Sequence, residues 1–381
     1  MTYPLIKFGD VVRQVKDKVD PQESGLEHYV AGEHMDTDNL HIRRWGDIGD
    51  GYLGPAFHMR FKPGQVLYGS RRTYLRKVAV AEFEGITANT TYVIEPKDPE
   101  VLLPDFLPFV MQTDSFNEHS IKQSKGSVNP YINFSDIAWY EFPLPPVDEQ
   151  RRIADLLWAA DNALQEYERL KQENKKLRDS ARKHFFTFGT ENAKTKDSKI
   201  GKLPVSWELK SLGEAFEFLD NMRIPLKDSE RNKRKGDYPY YGAVGIIDHI
   251  DDYIFDETTL LLEEDGMNLL LRSSPVVFKA VGKYWVNNHA HVLRPNENTV
   301  TDFYMEYLEY ISYEPYVTGT YQKKITKSDC MAIPVVYPPL NEQKEIVEKF
   351  SEIHQAEVSI NNHIQATKQL KKELLSSMLG G

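Results

Sequence analysis

Four stretches of the chain carry clustered guanidinium and ammonium groups beside aromatic rings. GSRRTYLRK places Arg71, Arg72, Arg76 and Lys77 around Tyr74, and KQSKGSVNPY places Lys122, Lys125, Ser127, Asn129 and Tyr131 around a glycine. GTYQKKITK holds Tyr321, Gln322, Lys323, Lys324 and Lys327, and MRIPLKDSERNKRKGDY holds Arg223, Lys227, Arg231, Lys233, Arg234 and Lys235. Lysine and arginine neutralise phosphates, arginine, asparagine and glutamine make paired hydrogen bonds to base edges, and Gly and Ser admit a close backbone. Any one such cluster is ordinarily a solvated charged surface. Four of them, two at matching places in the chain, point to shared use on a polyanion.

Other chemistries find no support in the sequence. NPYI, from Asn129, has the look of an amino-methyltransferase loop, but one proline is missing and no Gly-rich strand-turn-helix precedes it to hold a methyl donor. There is no GxxxxGK[ST] phosphate loop and no GxSxG nucleophile turn. His289 and His291 stand two apart in NNHAH without a cysteine or a sequence-adjacent acid to complete a metal shell. The acidic run LEEDG from Leu262 reads as a turn at a strand end. No catalytic residue and no metal site is expected.

The chain has 381 residues, 40% hydrophobic and 12% aromatic, with room for two or three domains. No apolar run approaches the ~18–20 residues needed to span a bilayer. The first residues carry an acid early and lack an apolar core, so no signal peptide is expected. The single cysteine, Cys330, excludes an internal disulfide framework and fits a reducing cytoplasm. The formal net charge of −10 argues against a simple polycation but leaves local contact surfaces open. That charge is −5 over residues 1–147, −5 over 189–340, and +1 and −1 over 148–188 and 341–381.

The even split reflects a repeat. PPVDEQRRI begins at Pro145 and PPLNEQKEI at Pro338. Gly126 and Gly319, Ser135 and Ser328, Glu149 and Glu342, Ile153 and Ile346, and Leu177 and Leu370 are all 193 residues apart. Residues 126–188 therefore align with 319–381 without a gap, and such a repeat constrains every other decision about the fold. Short runs such as VLYG, VAVAEF, TYVIEP, TLLLEE and PVVFKAV, broken by Gly, Pro and Asp, predict strands. DFLPFVMQTDSFNEHSIK and DFYMEYLEYISYEPYV predict helices at the edge of that sheet core.

After each PPxxEQ the pattern becomes helical. Proline cannot extend a helix backwards, and Asp148 and Asn341 are suited to cap one. Ile153, Ala160, Tyr167, Asn174 and Ala181 recur every seven residues, with Leu156, Ala163, Leu170 and Leu177 three residues on. The second copy gives Ile346, Ile353, Ile360, Thr367 and Leu374, with Ala356 and Leu370 among the partners. This predicts a coiled-coil seam in rods of ~60 Å, with polar Asn174 and Thr367 at equivalent places fixing register. The expected class is α+β, made of two domains of mixed, mostly antiparallel β with peripheral helices. Two long helices forming an antiparallel coiled coil separate them, and the whole has an internal pseudo-two-fold repeat. The expected boundaries are 1–147 and 205–340 for the domains, 148–188 and 341–381 for the helices, and 189–204 for a polar linker.

A variable αβ domain, a PPxxEQxxI motif and a long helix, all written twice, resemble the specificity (S) subunit of a Type I restriction-modification system. The likeness covers essentially the whole chain. PPVDEQRRIADLL and PPLNEQKEIVEKF carry most of it, and GITANTTYVIEP and YPYYGAVGIID are similar to stretches of that family's target-recognition domains. The resemblance implies a non-catalytic, cytoplasmic protein whose two target-recognition domains each read half of a split double-stranded DNA target. It also implies two methyltransferase (M) subunits docked on the helices and restriction/translocase (R) subunits beyond them. S-adenosylmethionine and ATP/Mg would then sit on those partners, with no cofactor on this chain. Candidate DNA contacts, chosen by charge and repeat position, are Arg71, Arg72, Tyr74, Arg76, Lys122, Lys125, Ser127, Asn129, Tyr131, Arg231, Lys233, Arg234, Tyr321, Gln322, Lys323 and Lys324. Candidate coiled-coil or partner positions are Ile153, Leu156, Tyr167, Leu170, Asn174, Leu177, Ile346, Ile353, Ile360, Thr367 and Leu370. Two alternatives stay open on the sequence: a specificity module of another restriction class, and a coiled-coil scaffold that binds no DNA.

Overall fold

The computed structural model describes residues 3–51, 53–191, 193–319 and 323–379. They form two compact units. The first comprises Met1–Arg169 with Asn361–Gly381, and the second Leu170–Ile360. Each contains one αβ domain and pieces of both long helices, Val147–Phe188 and Leu340–Leu379.

In the first unit, strands Val12–Val15, Thr91–Pro96, Val66–Gly69 and Val78–Val80 make one four-stranded sheet in that spatial order. A second sheet is ordered Gly46–Asp47, His28–Val30, Gly85–Ala88, Phe57–Phe61, with Tyr29 pairing Ile86 in parallel and its other pairs antiparallel. The second unit repeats the plan. Its sheets run Phe216–Phe218, Ala290–Pro295, Thr259–Glu263, Val277–Ala280 and Gly245–Ile250, Lys235–Gly242, Lys283–Val286, Phe255–Asp256. Again one pair, Tyr240 with Trp285, is parallel. The mixed, mostly antiparallel α+β class expected from the strand signals is what forms.

The peripheral helices differ in detail from the sequence pattern. The first stretch breaks into Leu107–Gln112 and Asp114–Lys122, because Thr113 is extended and its hydroxyl caps the Phe116 amide at 3.2 Å. The second stops at Tyr310, before the turn that carries Pro315. The stretch expected as a linker is also partly ordered. Thr195–Ser198 pairs with Gly201–Pro204 as a hairpin, and Leu203 is buried in the second unit's core. The Lys196 ammonium secures it by donating to the carbonyls of Val205 and Trp207 at 3.0 and 2.7 Å.

Burial explains why PPxxEQ is written twice. Gln150 and Gln343 are both fully buried. The Gln150 amide accepts from the Leu103 amide and donates to the carbonyls of Val101 and Pro145, all at 2.9 Å. Gln343 does the same with the Val300 amide at 2.9 Å, the Asn298 carbonyl at 3.0 Å and the Pro338 carbonyl at 2.9 Å. Each glutamine ties the loop ahead of a peripheral helix to the first turn of a long helix. Gln150→Ala removes the partner of three backbone groups, of which that of Pro145 is buried, and is expected to cost about 1–3 kcal/mol of first-unit stability in urea denaturation. Both long helices begin one residue earlier than expected, at Val147 and Leu340, with the Pro146 and Pro339 carbonyls accepting from Gln150 and Gln343. Asp148 and Asn341 therefore lie in the first turn, where the aspartate still faces the positive end of the helix dipole.

The helix pairing is antiparallel within each unit. In the first, Asp161 meets Lys371, Glu168 meets Lys368 and Tyr167 packs on His363. In the second, Asn174 donates to the Ile353 carbonyl at 3.2 Å and Arg178 meets Glu357 at 2.9 Å. Ile153 and Ile346 are buried in the two cores, and Tyr167, Asn174, Ile353, Ile360 and Thr367 are half-buried. The second row of the seam is corrected. Leu156, Leu170, Leu177 and Leu370 are 42, 39, 56 and 50% exposed. Most covered positions lie four residues after the first row instead of three, at Leu157, Leu164, Arg178 and Phe185, and at Phe350, Glu357, Ile364 and Lys371, with Lys171 exposed and Ala163 half-buried as exceptions. Each helix piece packs on its own domain as well as on the other helix, so its buried arc turns away from a pure two-helix seam.

Candidate nucleic-acid interface

The first unit joins two of the sequence clusters into one exposed tip. The loop after the strand Val66–Gly69 meets the loop 122–131 through three backbone contacts. The Arg72 amide donates to the Pro130 carbonyl at 2.6 Å, the Ile132 amide to the Ser70 carbonyl at 3.0 Å, and Arg71 pairs with Tyr131. Gly126 turns the second loop at φ 91°, a left-handed conformation that a side chain resists, and its repeat partner Gly319 does so at φ 98°. The buried hydroxyl of Ser70 donates to the Thr90 carbonyl at 2.7 Å, and the Thr73 and Ser124 hydroxyls bond at 2.9 Å.

What reaches solvent is selective. Arg71, Arg72, Tyr74, Lys122, Lys125, Ser127, Asn129 and Tyr131 are exposed, as is Val128 at 93%. Among the described residues Arg71 and Lys122 have no carboxylate partner, and Arg72 bonds only the neutral Asn129 Oδ1 at 3.2 Å. Lys125 is paired with Asp136 at 2.9 Å, which holds that carboxyl below its usual range. Arg76 is not part of the surface. Its guanidinium bonds Asp38 and Asp114 at 2.6 Å each and the Gln112 carbonyl at 2.7 Å, locking the tip to its domain.

The second unit builds the same tip from the other half of the repeat. The Gly266 amide donates to the Lys323 carbonyl at 2.7 Å, the Ile325 amide to the Glu264 carbonyl at 3.1 Å, and Asp265 pairs with Lys324. Lys324 also forms the bridge with Thr318 that Tyr131 forms with Lys125. LEEDG, expected as a turn at a strand end, instead runs from the end of the strand Thr259–Glu263 straight into the short helix Gly266–Leu271, and it supplies this tip with two carboxylates. Lys324 lies 3.7 Å from Glu264 and 3.9 Å from Asp265, and Asp265 is 2.9 Å from His289. The signal that would have found Asp265 is the alignment of QVLYGSRR with TLLLEEDG. Tyr321 and Gln322 lie outside the described residues.

The 222–235 cluster is occupied by its own fold. Arg231 bonds Asp228 at 2.6 Å and Asp248 at 3.2 Å over the Tyr240 ring, and Arg234 bonds Asp251 at 2.9 Å over Trp285. Lys235, with Arg231, holds the Asp248 carboxyl down to about 2. Arg223 reaches Glu264 and the Ala290 carbonyl. Lys227 and Lys233 remain exposed, with no ion pair among the described residues. Of the three basic candidates in this stretch, Lys233 alone is presented as a free cation.

His291 is buried between Asp220 at 2.7 Å and the Ile325 carbonyl at 3.1 Å, so acids absent from its sequence neighbourhood are supplied by the fold. Among the described residues no group of three or more His, Cys, Asp or Glu could hold a metal ion. Cys330 is fully buried, and burial pushes its thiol well above its ordinary range. No helix among the described residues is long and apolar enough to cross a membrane.

Known proteins share this plan. The sequence pattern of the type I restriction modification DNA specificity domain matches residues 46–176 and again 204–371. A putative type I restriction enzyme specificity subunit of Haemophilus influenzae is 38% identical over 140 residues, a match taking in 37% of this chain and 35% of that protein. The putative MjaX specificity subunit of Methanocaldococcus jannaschii is 24% identical over 394 residues, 99% of this chain and 90% of that protein. The crystal structure of the S subunit of a type I restriction-modification system from M. genitalium superposes with a TM-score of 0.65 at 16% identity, over 100% of this chain and 96% of that one. That likeness concerns the fold. With two matches that together take in most of the sequence, the chain belongs to the family of type I restriction modification DNA specificity domains, and it carries the domain twice.

Proposed function

We propose that this chain is the DNA-recognition subunit of a Type I restriction-modification enzyme, each domain reading one half of a bipartite target. The observation that carries the proposal is the specificity-domain pattern occurring twice, on two domains whose sheets and paired tip loops follow one plan. The domains are residues 1–147 and 205–340, joined by the long helices. Two half-sites about one duplex turn apart, ~34–36 Å, suit a reader with two such domains. The chain performs no chemistry itself and works in the cytoplasm, where its DNA is. Two methyltransferase subunits dock on the long helices, whose exposed leucines Leu156, Leu170, Leu177 and Leu370 offer apolar contact. These partners carry S-adenosylmethionine, and restriction subunits carry ATP and Mg.

Within the tips, Arg71, Arg72, Tyr74, Lys122, Lys125, Ser127, Asn129 and Tyr131 in the first unit and Lys323 and Lys324 in the second contact the duplex. Arg76, Arg231 and Arg234 position these surfaces and do not touch DNA. The test is to sequence methylated adenines in a host carrying the complex with and without this chain. A split motif that disappears with the chain supports the proposal, and an unchanged methylation pattern sinks it. In the purified complex, Lys323→Ala with Lys324→Ala is expected to lower the slope of log affinity against log salt by about one for each phosphate no longer neutralised. An unchanged slope removes that loop from the interface.

A further inference from the structure

The two tips share one backbone and carry opposite side-chain chemistry. Arg71 and Asp265 occupy the same place, each bridged to the member of a residue pair 193 apart, Tyr131 and Lys324. The flanking amide bonds repeat too: Arg72 to Pro130 at 2.6 Å corresponds to Gly266 to Lys323 at 2.7 Å. Ile132 to Ser70 at 3.0 Å corresponds to Ile325 to Glu264 at 3.1 Å. The position is therefore structurally equivalent, and its charge is reversed.

Arg71 is presented to solvent instead of being tied down. Of the four cations in its segment, Arg76 is bound to two carboxylates and Lys77 to the Gly32 carbonyl, while Arg72 bonds Asn129. Arg71 alone has no side-chain partner among the described residues, on a backbone fixed at Ser70, Arg72 and Thr73. A fixed loop loses little backbone entropy on binding, so only the Arg71 side chain has to be ordered. Guanine shows two acceptors, N7 and O6, in the major groove, and a guanidinium satisfies both. A carboxylate at the same place faces those acceptors with like charge and instead accepts from an exocyclic amine, as on cytosine N4. The Asp265 side chain is 41% exposed; its Oδ2 lies 2.9 Å from His289, and the Lys324 ammonium stands off from Oδ1 at 3.9 Å, so Oδ1 remains to accept.

Resting on the function proposed above, we infer that Arg71 reads a guanine in the half-site taken by the first unit. Asp265, at the equivalent place, excludes guanine from one position of the other half-site and favours a base that presents an amine in the major groove, cytosine or adenine. The two half-sites thus differ in hydrogen-bond polarity at one structurally matched position.

The test sequences methylated adenines in cells carrying the full chain with its partners. Arg71→Ala is expected to relax one guanine of one half-site by roughly ten- to hundredfold, leaving the other half-site intact. Asp265→Ala is expected to relax one position of the other half-site, admitting guanine there. Arg71→Lys keeps the charge and donors that still reach the guanine acceptors, so it should recover part of the preference that Arg71→Ala loses. A wild-type motif in Arg71→Ala overturns the inference by making Arg71 a phosphate contact at most. Should the variants methylate nothing, the wild-type complex decides on duplexes with 7-deazaguanine at each guanine of the motif. A roughly tenfold or greater loss of binding affinity at one guanine, absent in binding by the Arg71→Ala complex, supports it, and no loss at any guanine overturns it. A genome with no split motif dependent on this chain defeats the underlying function instead, so the two failures are distinct.

Discussion

Replacement of Glu306 by alanine is expected to destabilise the second unit by about 3–5 kcal/mol, more than any single change at the exposed tips. Glu306 is 4% exposed on the helix Thr301–Tyr310. It receives both Nε and Nη2 of Arg178, and Nε and Nη2 of Arg182 at 2.9 and 2.8 Å. Arg178 also reaches Glu357 on the second long helix at 2.9 Å. Glu306 thus joins a domain helix to the first long helix, and Arg178 carries the link on to the second. Removing Glu306 leaves two partly buried guanidinium groups under-compensated, Arg178 with Glu357 and Arg182 with Asp179 at 3.5 Å, and that deficit, rather than the lost attraction, dominates the cost. Thermal unfolding of the full chain should show a fall on the order of 10 °C in the second unit's transition. A shift worth less than about 1 kcal/mol would mean that water reaches and solvates the arginines. Replacing Arg178, Arg182 and Glu306 together by apolar residues of similar volume is expected to restore much of the loss. In that case the triad sets the mutual register of the helices more than it adds stability.

This buried chemistry marks where the sequence stops being legible. Arg178 and Lys371 are 193 residues apart, so the repeat places both cations at one position of the seam. Their counter-charges do not follow the repeat. Lys371 meets Asp161, whose counterpart in the second half is His354, so the second unit draws its carboxylate from the domain helix instead. The heptad spacing is enough to locate the helices and their first buried row. It does not say whether the second row lies three or four residues on, because that depends on the domain surface each helix also covers. The tip loops are visible as aligned basic clusters. Which cations remain free is not, because Arg76 is neutralised by carboxylates 38 residues away on either side and Arg234 by Asp251 across a hairpin. Such pairings are long-range facts with no local signature.

Asp161→Ala is expected to cost the first unit about 3–5 kcal/mol near neutral pH and to change how its stability depends on pH. Asp161 is 3% exposed on the first long helix, where Nζ of Lys371 and Nε2 of His41 (2.8 Å) converge on it. The other ring nitrogen of His41 meets Glu82 at 2.8 Å, and the imidazole packs edge-on against Trp158. Burial alone would raise the Asp161 carboxyl; the hydrogen bond from His41 and the charge of Lys371 outweigh it and hold the carboxyl below its usual range. The His41 imidazole is raised above its ordinary 6.5, chiefly by its hydrogen bond to Asp161 and against the opposing effect of burial. The two signs define a window. The depressed carboxyl contributes stability that is complete above about pH 4 and fades as pH falls through its folded value. The raised imidazole contributes stability that is complete below about pH 6.5 and fades as pH rises through its folded value. First-unit stability, followed by the fluorescence of Trp158 in urea titrations, should therefore be greatest between those limits and decline above them. Asp161→Asn keeps an acceptor for His41 but removes the charge, so it should flatten the decline above neutrality and lower stability throughout. His41→Gln should flatten the same limb while leaving the Asp161–Lys371 pair, and with it most of the stability, in place. If Asp161→Asn retains the wild-type slope above pH 6.5, the titrating group lies elsewhere, and His41 serves only as a hydrogen-bonded spacer between Glu82 and the helix.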